Sequence, residues 1–157
     1  MYRCIGLVDA DLLDNGTRHP NLALLKIAGF LYDNDILFEL ILDDNIDLDR
    51  YDHIYLSRVF TFTKLPKFYT ESLGTINERK FHIGGTGFYS TIESIRDFTA
   101  LRNEDMTKLE NDDYLSTLKN HRGGNNELGI NMARQMPYYH LYDAYPVSYG
   151  SSYWLYL

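Results

Sequence analysis

The stretch Asp9-Ala-Asp-Leu-Leu-Asp-Asn-Gly-Thr-Arg-His-Pro-Asn21 separates two apolar runs with different periods. Before it, Ile5-Gly-Leu-Val8 is a short continuous apolar run, which is typical of a buried strand. After it, residues 22–31 are amphipathic, which predicts a helix. The sequence therefore predicts a polar loop that leads from a buried strand into a helix N-terminus. In open α/β sheets, ligands bind at this edge.

The following segments repeat this alternation of strands and helices. Strands are predicted at 2–8, 36–42, 53–59 and 80–83, and helices at 63–73, 92–101 and 106–118, in addition to the helix that ends near residue 33. Pro20 fits the first turn of that helix, with Thr17 or His19 as its cap. Since strand–helix–strand units form right-handed parallel crossovers, we expect an α/β fold with a doubly wound, mostly parallel sheet of order 2-1-3-4.

The length and composition indicate one domain. The chain has 157 residues and is 45% hydrophobic, which suits a single sizeable core. We divide it into a sheet core at 1–88, a helical segment at 89–135 and an aromatic tail at 136–157. Seven of the fourteen tyrosines lie in the last twenty residues. Because an apolar terminus is rarely left exposed, we expect the tail to pack on the sheet or to lead into a further domain.

Charge and cysteine content narrow the classes of partner. The net charge is −7, and the stretch from Asp33 to Asp52 holds eight carboxylates and one arginine. This acidity argues against nucleic-acid and anionic-membrane partners, which require basic patches. Cys4 is the only cysteine, so a buried structural thiol is expected there, and the chain alone cannot form an intramolecular disulfide. No signal peptide or membrane-spanning run is evident, so a cytoplasmic location is the expectation.

Polar residues follow three of the predicted strands, and parallel strands bring their carboxyl ends to one edge of a sheet. That edge would carry Asp9 and Asp11, then Ser57 and Arg58, then Gly84-Gly-Thr-Gly87. The glycines would let the backbone approach a phosphate-like or planar ligand, or they would form only a tight strand-to-helix turn. A Walker loop is excluded because the Gly-Lys-Ser/Thr ending is missing.

The charged candidates each allow a structural interpretation. The carboxylates of Asp9, Asp11 and Asp14 could hold Mg²⁺, or Asp9 could bond to N–H groups of the loop while Asp14-Asn-Gly forms a turn. His19 could be a ligand, a general base or a cap. Arg58 could bind an anion or pair with Asp9 or Asp11. No arrangement typical of a catalytic triad is found, so no catalytic residue is assigned.

Five segments stand out in combination: Ile5-Gly-Leu-Val-Asp-Ala-Asp11, Asn15-Gly-Thr-Arg-His-Pro-Asn-Leu-Ala-Leu-Leu-Lys26, Ile54-Tyr-Leu-Ser-Arg-Val-Phe60, Gly84-Gly-Thr-Gly-Phe88 and Met136-Pro-Tyr-Tyr-His-Leu-Tyr142. Together they resemble the N-terminal domain of certain bacterial and phage-borne radical S-adenosylmethionine (radical SAM) proteins. In those proteins a cobalamin-binding-type, Rossmann-like domain of the flavodoxin class precedes a cluster-bearing barrel. The resemblance spans most of residues 5–142.

A second comparison of motifs points to the same group. Cobalamin-binding domains are similar in carrying Asp-x-His-x-x-Gly, Ser-x-Leu and Gly-Gly after strands one, three and four. Here those places hold Asp9-x-Asp11-x-x-Asp14, Ser57-x-Val59 and Gly84-Gly85. Asp11 replaces the histidine that would ligate cobalt, so histidine-ligated cobalamin is not expected. The Cys-x3-Cys-x2-Cys motif that holds a [4Fe-4S] cluster is missing, so the cluster and SAM chemistry would require a further C-terminal domain.

The resemblance implies an accessory ligand-binding domain, non-catalytic on its own, that docks on a radical SAM barrel in cis or in trans. The implied pocket for a small-molecule ligand consists of Asp9, Asp11, Asn15, Thr17, His19, Ser57, Arg58, Gly84, Gly85, Thr86 and Gly87. This pocket is compatible with cobalamin that has no protein ligand to cobalt, and it is also compatible with the absence of a cofactor. Two alternatives remain: a stand-alone small-molecule or nucleotide-binding protein, and a small divalent-metal-dependent enzyme that uses Asp9, Asp11 and His19.

Overall fold

The protein is described here from a computed structural model, which covers residues 4–16, 19–88, 118–121 and 128–143. Within these residues, the strands are β1 (Cys4–Asp9), β2 (Leu37–Leu40), β3 (His53–Ser57) and β4 (Phe81–Gly84). The α-helices are α1 (Ala10–Asn15), α2 (Leu22–Asp33) and α3 (Lys67–Thr70). Short 3₁₀ turns lie at Leu48–Arg50, Ile76–Lys80 and Thr86–Phe88.

The four strands form one all-parallel sheet in the order β2-β1-β3-β4, which confirms the predicted α/β fold and strand order. In the register of the sheet, Asp9 of β1 lies beside Ser57 of β3, and Ser57 lies beside Gly84 of β4. The last residues of three strands therefore form one row. The predicted convergence of three polar segments at the carboxyl edge of the sheet is confirmed.

The strands of the sheet are apolar on both sides, so burying them requires that both faces of the sheet be covered. On one face, Leu7 and Tyr55 pack with the apolar side of α2 and with Ile130 and Leu141 from the later part of the chain. On the other face, Val8, Ile54 and Leu56 pack with Phe68, Tyr69 and Phe81. Successive residues of a strand point to opposite faces, so Asp9, Ser57 and Gly84 lie on the α2 side.

The loop predicted after β1 is in part a helix, so that prediction was wrong. Asp9 caps α1, because its carboxylate accepts a hydrogen bond of 3.2 Å from the backbone N–H of Leu12. Leu12 is 4% exposed and belongs to the α2-side core, so the first turn of α1 is stabilised by packing. Gly16 ends the helix at φ 74°, a conformation that favours glycine.

The N-terminus of α2 also differs from the prediction. Asn21 is its cap, since the Asn21 side chain accepts a hydrogen bond of 3.1 Å from the N–H of Leu24. Pro20 and His19 precede the cap, and Thr17 lies outside the described residues. Asparagine is among the best capping residues, whereas histidine is not. The expectation of a cap at His19 was therefore wrong.

Other boundaries shift by a few residues. Helix α3 begins only after Pro66, whose fixed φ suits the first residue outside a helix, and it is shorter than the predicted 63–73. Cys4 is half-buried rather than buried, and burial raises the pKa of its thiol. The helices predicted at 92–101 and 106–118 lie outside the described residues apart from residue 118, and so does the tail beyond residue 143. No helix in the described ranges combines the length and the apolar character needed to cross a bilayer.

Candidate ligand-binding site

A cavity of about 430 Å³ lies on the α2 side of the sheet, at the carboxyl ends of β3 and β4. Its floor includes Tyr55, Ser57, His82 and Gly84, which share one face of the two strands. The space arises from the neighbours Ser57 and Gly84, because one side chain is small and the other is absent. A Cβ atom added to Gly84 would meet nothing within 4 Å.

Helix α2 and the segment 128–132 form the wall and roof of this cavity, and both are mainly apolar. The lining residues from these elements are Asn21, Ala23, Leu24, Ile27, Leu128, Ile130 and Met132. Lys26 attaches the roof to α2, since its ammonium donates a hydrogen bond of 2.6 Å to the carbonyl of Met132. Farther along, the N–H of Tyr138 donates to the carbonyl of Leu25 at 2.8 Å.

The described lining of the cavity carries no fixed charge. Among the described residues that form it, none is an aspartate, glutamate, lysine or arginine. The ring of His82 stacks on Tyr55, with centroids 4.7 Å apart, and lies in hydrogen-bond contact with His53. The polar side chains of the lining are those of Asn21, Ser57, His82 and Thr86. An apolar cavity with a few polar groups is typical of small-molecule sites.

A hydrogen-bond network joins the polar end of the cavity to β1. The side-chain amide of Asn21 donates a hydrogen bond of 2.6 Å to the hydroxyl of Ser57. The hydroxyl of Tyr142 accepts from the N–H of Asn21 at 3.0 Å and donates to the carboxylate of Asp9 at 2.7 Å. Since Ser57 accepts from Asn21, its own hydroxyl proton can be donated to another acceptor. The network thus fixes a donor at the cavity.

Asp9 is buried at the centre of this network, with 3% of its surface exposed. Burial raises the pKa of its carboxyl group, because a low-dielectric environment disfavours the charged form. The hydrogen bonds from Tyr142 and from the N–H of Leu12 oppose this effect but do not cancel it. Ionised Asp9 therefore carries a cost in the folded state.

We expect Asp9→Asn to change how stability depends on pH. Because the folded-state pKa of Asp9 is raised, its contribution is complete below the ordinary pKa of about 3.9 and is lost as the pH rises through the raised value. The free energy of unfolding of the wild type should therefore fall, relative to Asp9→Asn, as the pH rises across this window. Urea unfolding at several pH values measures this difference in the free energy of unfolding. Glu71→Gln, at an exposed carboxylate, is the control, and parallel wild-type and Asp9→Asn profiles would contradict the assignment.

Asp11 holds the loop that follows β3. Its carboxylate accepts hydrogen bonds from the N–H groups of Val59 at 2.8 Å and Phe60 at 3.3 Å, and from the hydroxyl of Thr63 at 2.5 Å. The exposed carboxylate of Asp14 accepts from the N–H of Lys64 at 3.0 Å. In the described part of the chain, no group of three or more potential metal ligands comes together. These carboxylates are thus engaged with protein donors.

The contacts of Arg58 among the described residues are with backbone carbonyls rather than with Asp9 or Asp11. Its guanidinium donates to three backbone carbonyls: Thr63 at 2.8 Å, Gly87 at 3.2 Å and Thr61 at 2.5 Å. It also lies 5.8 Å from the centre of the Phe88 ring. Arg58 therefore holds its own loop after β3 through two of these bonds and connects that loop to the turn after β4 through the third.

The glycines of this turn can be interpreted either as room for a ligand or as part of a tight turn, and the structure shows both roles. Gly84 opens onto the cavity. A Cβ atom at Gly85, which has φ +101°, would lie 2.3 Å from the carbonyl oxygen of Arg58, and one at Gly87 would lie 2.8 Å from the same atom. The second and third glycines are thus required by close packing of the turn.

The predicted site residues therefore separate into groups. Ser57, Gly84, Gly85 and Thr86 line the cavity, and Asp9 joins it through Tyr142 and Asn21. Asp11, Arg58 and Gly87 support the adjoining loops. Asn15 and His19 are exposed and do not line the cavity, and Thr17 lies outside the described residues.

Sequence reasoning missed two residues of the network. Asn21 immediately precedes an amphipathic run, a position where a helix cap is expected, so its location was detectable. Tyr142 is 133 residues from Asp9, and no local pattern indicates that contact. No local pattern indicates that residues 128–132 form the roof of the cavity either.

Comparisons of the chain with family models, curated proteins and solved structures find no match.

Proposed function

We propose that this protein is a non-catalytic ligand-binding domain whose cavity receives an uncharged, mainly apolar, planar group of a small molecule. The observation that carries this proposal is the cavity beside Ser57 and Gly84, which has no fixed charge in its described lining. Its volume of about 430 Å³ falls within the range usual for small-molecule sites. A ligand acceptor would bond to the hydroxyl of Ser57.

The polar groups near the cavity support recognition rather than reaction. A general base must reach the proton that it abstracts. The carboxylate of Asp9 instead accepts hydrogen bonds from the hydroxyl of Tyr142 and the N–H of Leu12. The carboxylate of Asp11 is bonded to the loop after β3. Arg58, the candidate for an anionic group, donates to carbonyls. This distribution favours a neutral group in the cavity over a phosphate.

We also propose kinship with the flavodoxin-like, cobalamin-binding-type domains of radical SAM proteins, as an accessory domain that docks on such a barrel in cis or in trans. The parallel order β2-β1-β3-β4 supports it. So does the location of Ser57, Val59, Gly84 and Gly85, which carry the motif resemblance and all line the cavity. Packing of residues 138–142 against α2 supports a C-terminal extension of the sheet core.

Cobalamin fits this site only in part. Gly84 leaves space for a ligand, whereas Gly85 packs against the carbonyl of Arg58. Asp11 stands where the resemblance would place the cobalt-ligating histidine, and its oxygens accept hydrogen bonds from Val59, Phe60 and Thr63. Asp11 therefore offers no imidazole to cobalt at that position, and no cobalt chemistry is assigned to this chain. A [4Fe-4S] cluster and SAM would belong to a partner barrel.

Gly84→Leu tests the cavity directly. The new side chain would extend into space where a Cβ atom meets nothing within 4 Å. We expect the melting temperature to be retained and the affinity for naphthalene, a neutral planar probe, to fall about tenfold or more, because the probe and the side chain compete for one volume. Fluorescence titration measures the affinity.

Two further measurements complete this experiment. Gly85→Ala is the matched contrast, since its Cβ atom would meet the Arg58 carbonyl rather than the cavity, and we expect lost stability there. Hydroxocobalamin, followed by its absorption spectrum, tests the cofactor form of the proposal. If wild type and Gly84→Leu bind naphthalene equally, or if neither binds it, the cavity is not the site.

A further inference from the structure

Two phenylalanine rings are exposed on the loop that follows β3. Phe60 is 52% exposed and Phe62 is 74% exposed. The rings stack with centroids 5.2 Å apart and planes inclined by 15°. Neither ring belongs to the two cores of the fold. Exposed, adjoining aromatic rings of this kind are typical of contact surfaces.

The loop that carries these rings is fixed by the protein before any partner binds. The carboxylate of Asp11 accepts from the N–H groups of Val59 and Phe60. The guanidinium of Arg58 donates to the carbonyls of Thr61 and Thr63, on either side of Phe62. A surface ordered in advance loses little conformational entropy on binding. The two rings are therefore presented in a defined position.

The loop adjoins the cavity. Val59, the residue before Phe60, lines the cavity and is itself 41% exposed. The hydroxyl of Thr86, another lining residue, donates a hydrogen bond of 2.7 Å to the carbonyl of Val59. Gly87 packs against the carbonyl of Phe60, where an added Cβ atom would approach to 2.8 Å. Val59 thus links the cavity to the loop segment that carries the two rings.

We propose that Phe60 and Phe62 form the outer half of the same binding site and hold an uncharged aromatic part of the ligand that projects beyond the cavity. This inference rests on the proposed function of the cavity. Aromatic groups pack on such rings in offset or edge-to-face arrangements. The ligand class is thereby narrowed to neutral molecules with two aromatic portions, one inside the cavity and one outside it.

Two neutral probes of different length test this proposal. Naphthalene would occupy the cavity alone, whereas N-phenyl-1-naphthylamine carries an additional, separate phenyl ring. For the double variant Phe60→Ser, Phe62→Ser, we expect the affinity for N-phenyl-1-naphthylamine to fall about fivefold to tenfold. The affinity for naphthalene should stay within about twofold. Ile76→Ser, at a residue that is 80% exposed outside this loop, is the matched control and should bind both probes like the wild type.

The outcomes separate the two proposals. If Gly84→Leu loses both probes while the double variant binds both like the wild type, the outer half is overturned and the cavity stands. If the wild type binds neither probe, both proposals fail. Size-exclusion chromatography of the wild type and the double variant tests whether the two rings contact a second copy of the chain instead of a ligand. A dimer that the double variant abolishes, with unchanged probe binding, would assign the rings to contact between copies and would overturn the inference.

Discussion

Asp11→Ala is expected to lower the free energy of unfolding by about 3 kcal/mol, because it removes the acceptor for three donors at once. Asp11 is 9% exposed and Thr63 is 1% exposed, so water cannot readily replace the lost carboxylate at the Thr63 hydroxyl. The N–H groups of Val59 and Phe60 lose the same partner. Urea unfolding followed by circular dichroism measures the change.

Graded variants test the cause of this loss. Asp11→Asn keeps one carbonyl acceptor and should cost less than Asp11→Ala. Asp14→Ala removes an exposed carboxylate of the same helix, which has one N–H partner in the adjoining loop. A change of about 0.5 kcal/mol is expected for it. Equal effects of Asp11→Ala and Asp14→Ala would show that the buried carboxylate does not hold the loop.

Gly29→Ala is the second substitution with a large expected effect. Alanine is the better helix former by about 1 kcal/mol, so an unconstrained helix would gain stability. In α2, however, the added Cβ atom would lie 1.9 Å from the carbonyl oxygen of Met136 and 3.0 Å from the side-chain nitrogen of Gln135. The first contact is with backbone, so the segment after residue 134 must move. We expect a net loss of about 2–3 kcal/mol, measured by urea unfolding.

The control for Gly29→Ala lies on the same helix. Leu22 is 58% exposed, and Leu22→Ala should change the free energy of unfolding by about 0.5 kcal/mol at most. If Gly29→Ala stabilises the protein, helix propensity outweighs the contact, and the packing of residues 135–136 on α2 is looser than the structure indicates. A larger loss for Gly29→Ser than for Gly29→Ala would support the steric cause.

The sheet and its functional edge were predictable because their signals are local. The apolar run before Asp9 and the helical period after Asn21 define a strand and a helix within thirty residues. The right-handedness of parallel crossovers then restricts the topology, and a doubly wound sheet gives the order 2-1-3-4. Polar residues at the ends of three strands indicated Ser57 and Gly84 as neighbours, and the register of β3 and β4 confirms this.

The supporting contacts were not predictable, because they depend on packing between distant segments. Arg58 could have paired with a nearby aspartate, but carbonyls of its own loop and of Gly87 surround its guanidinium. The cap of α2 was misassigned because His19 and Pro20 suggested an earlier start than Asn21. The cavity requires Ile130 and Met132, and nothing in their sequence links them to β3 or β4.

The bond between Tyr142 and Asp9 has a consequence for the order of assembly. The two residues are 133 positions apart, so forming this contact requires closing a long loop, at a cost in chain entropy. The strands β1 to β4 lie within the first 84 residues and can pair earlier. Completion of the binding site is therefore a late step of folding, which an emerging polypeptide reaches only after residue 142 has left the ribosome.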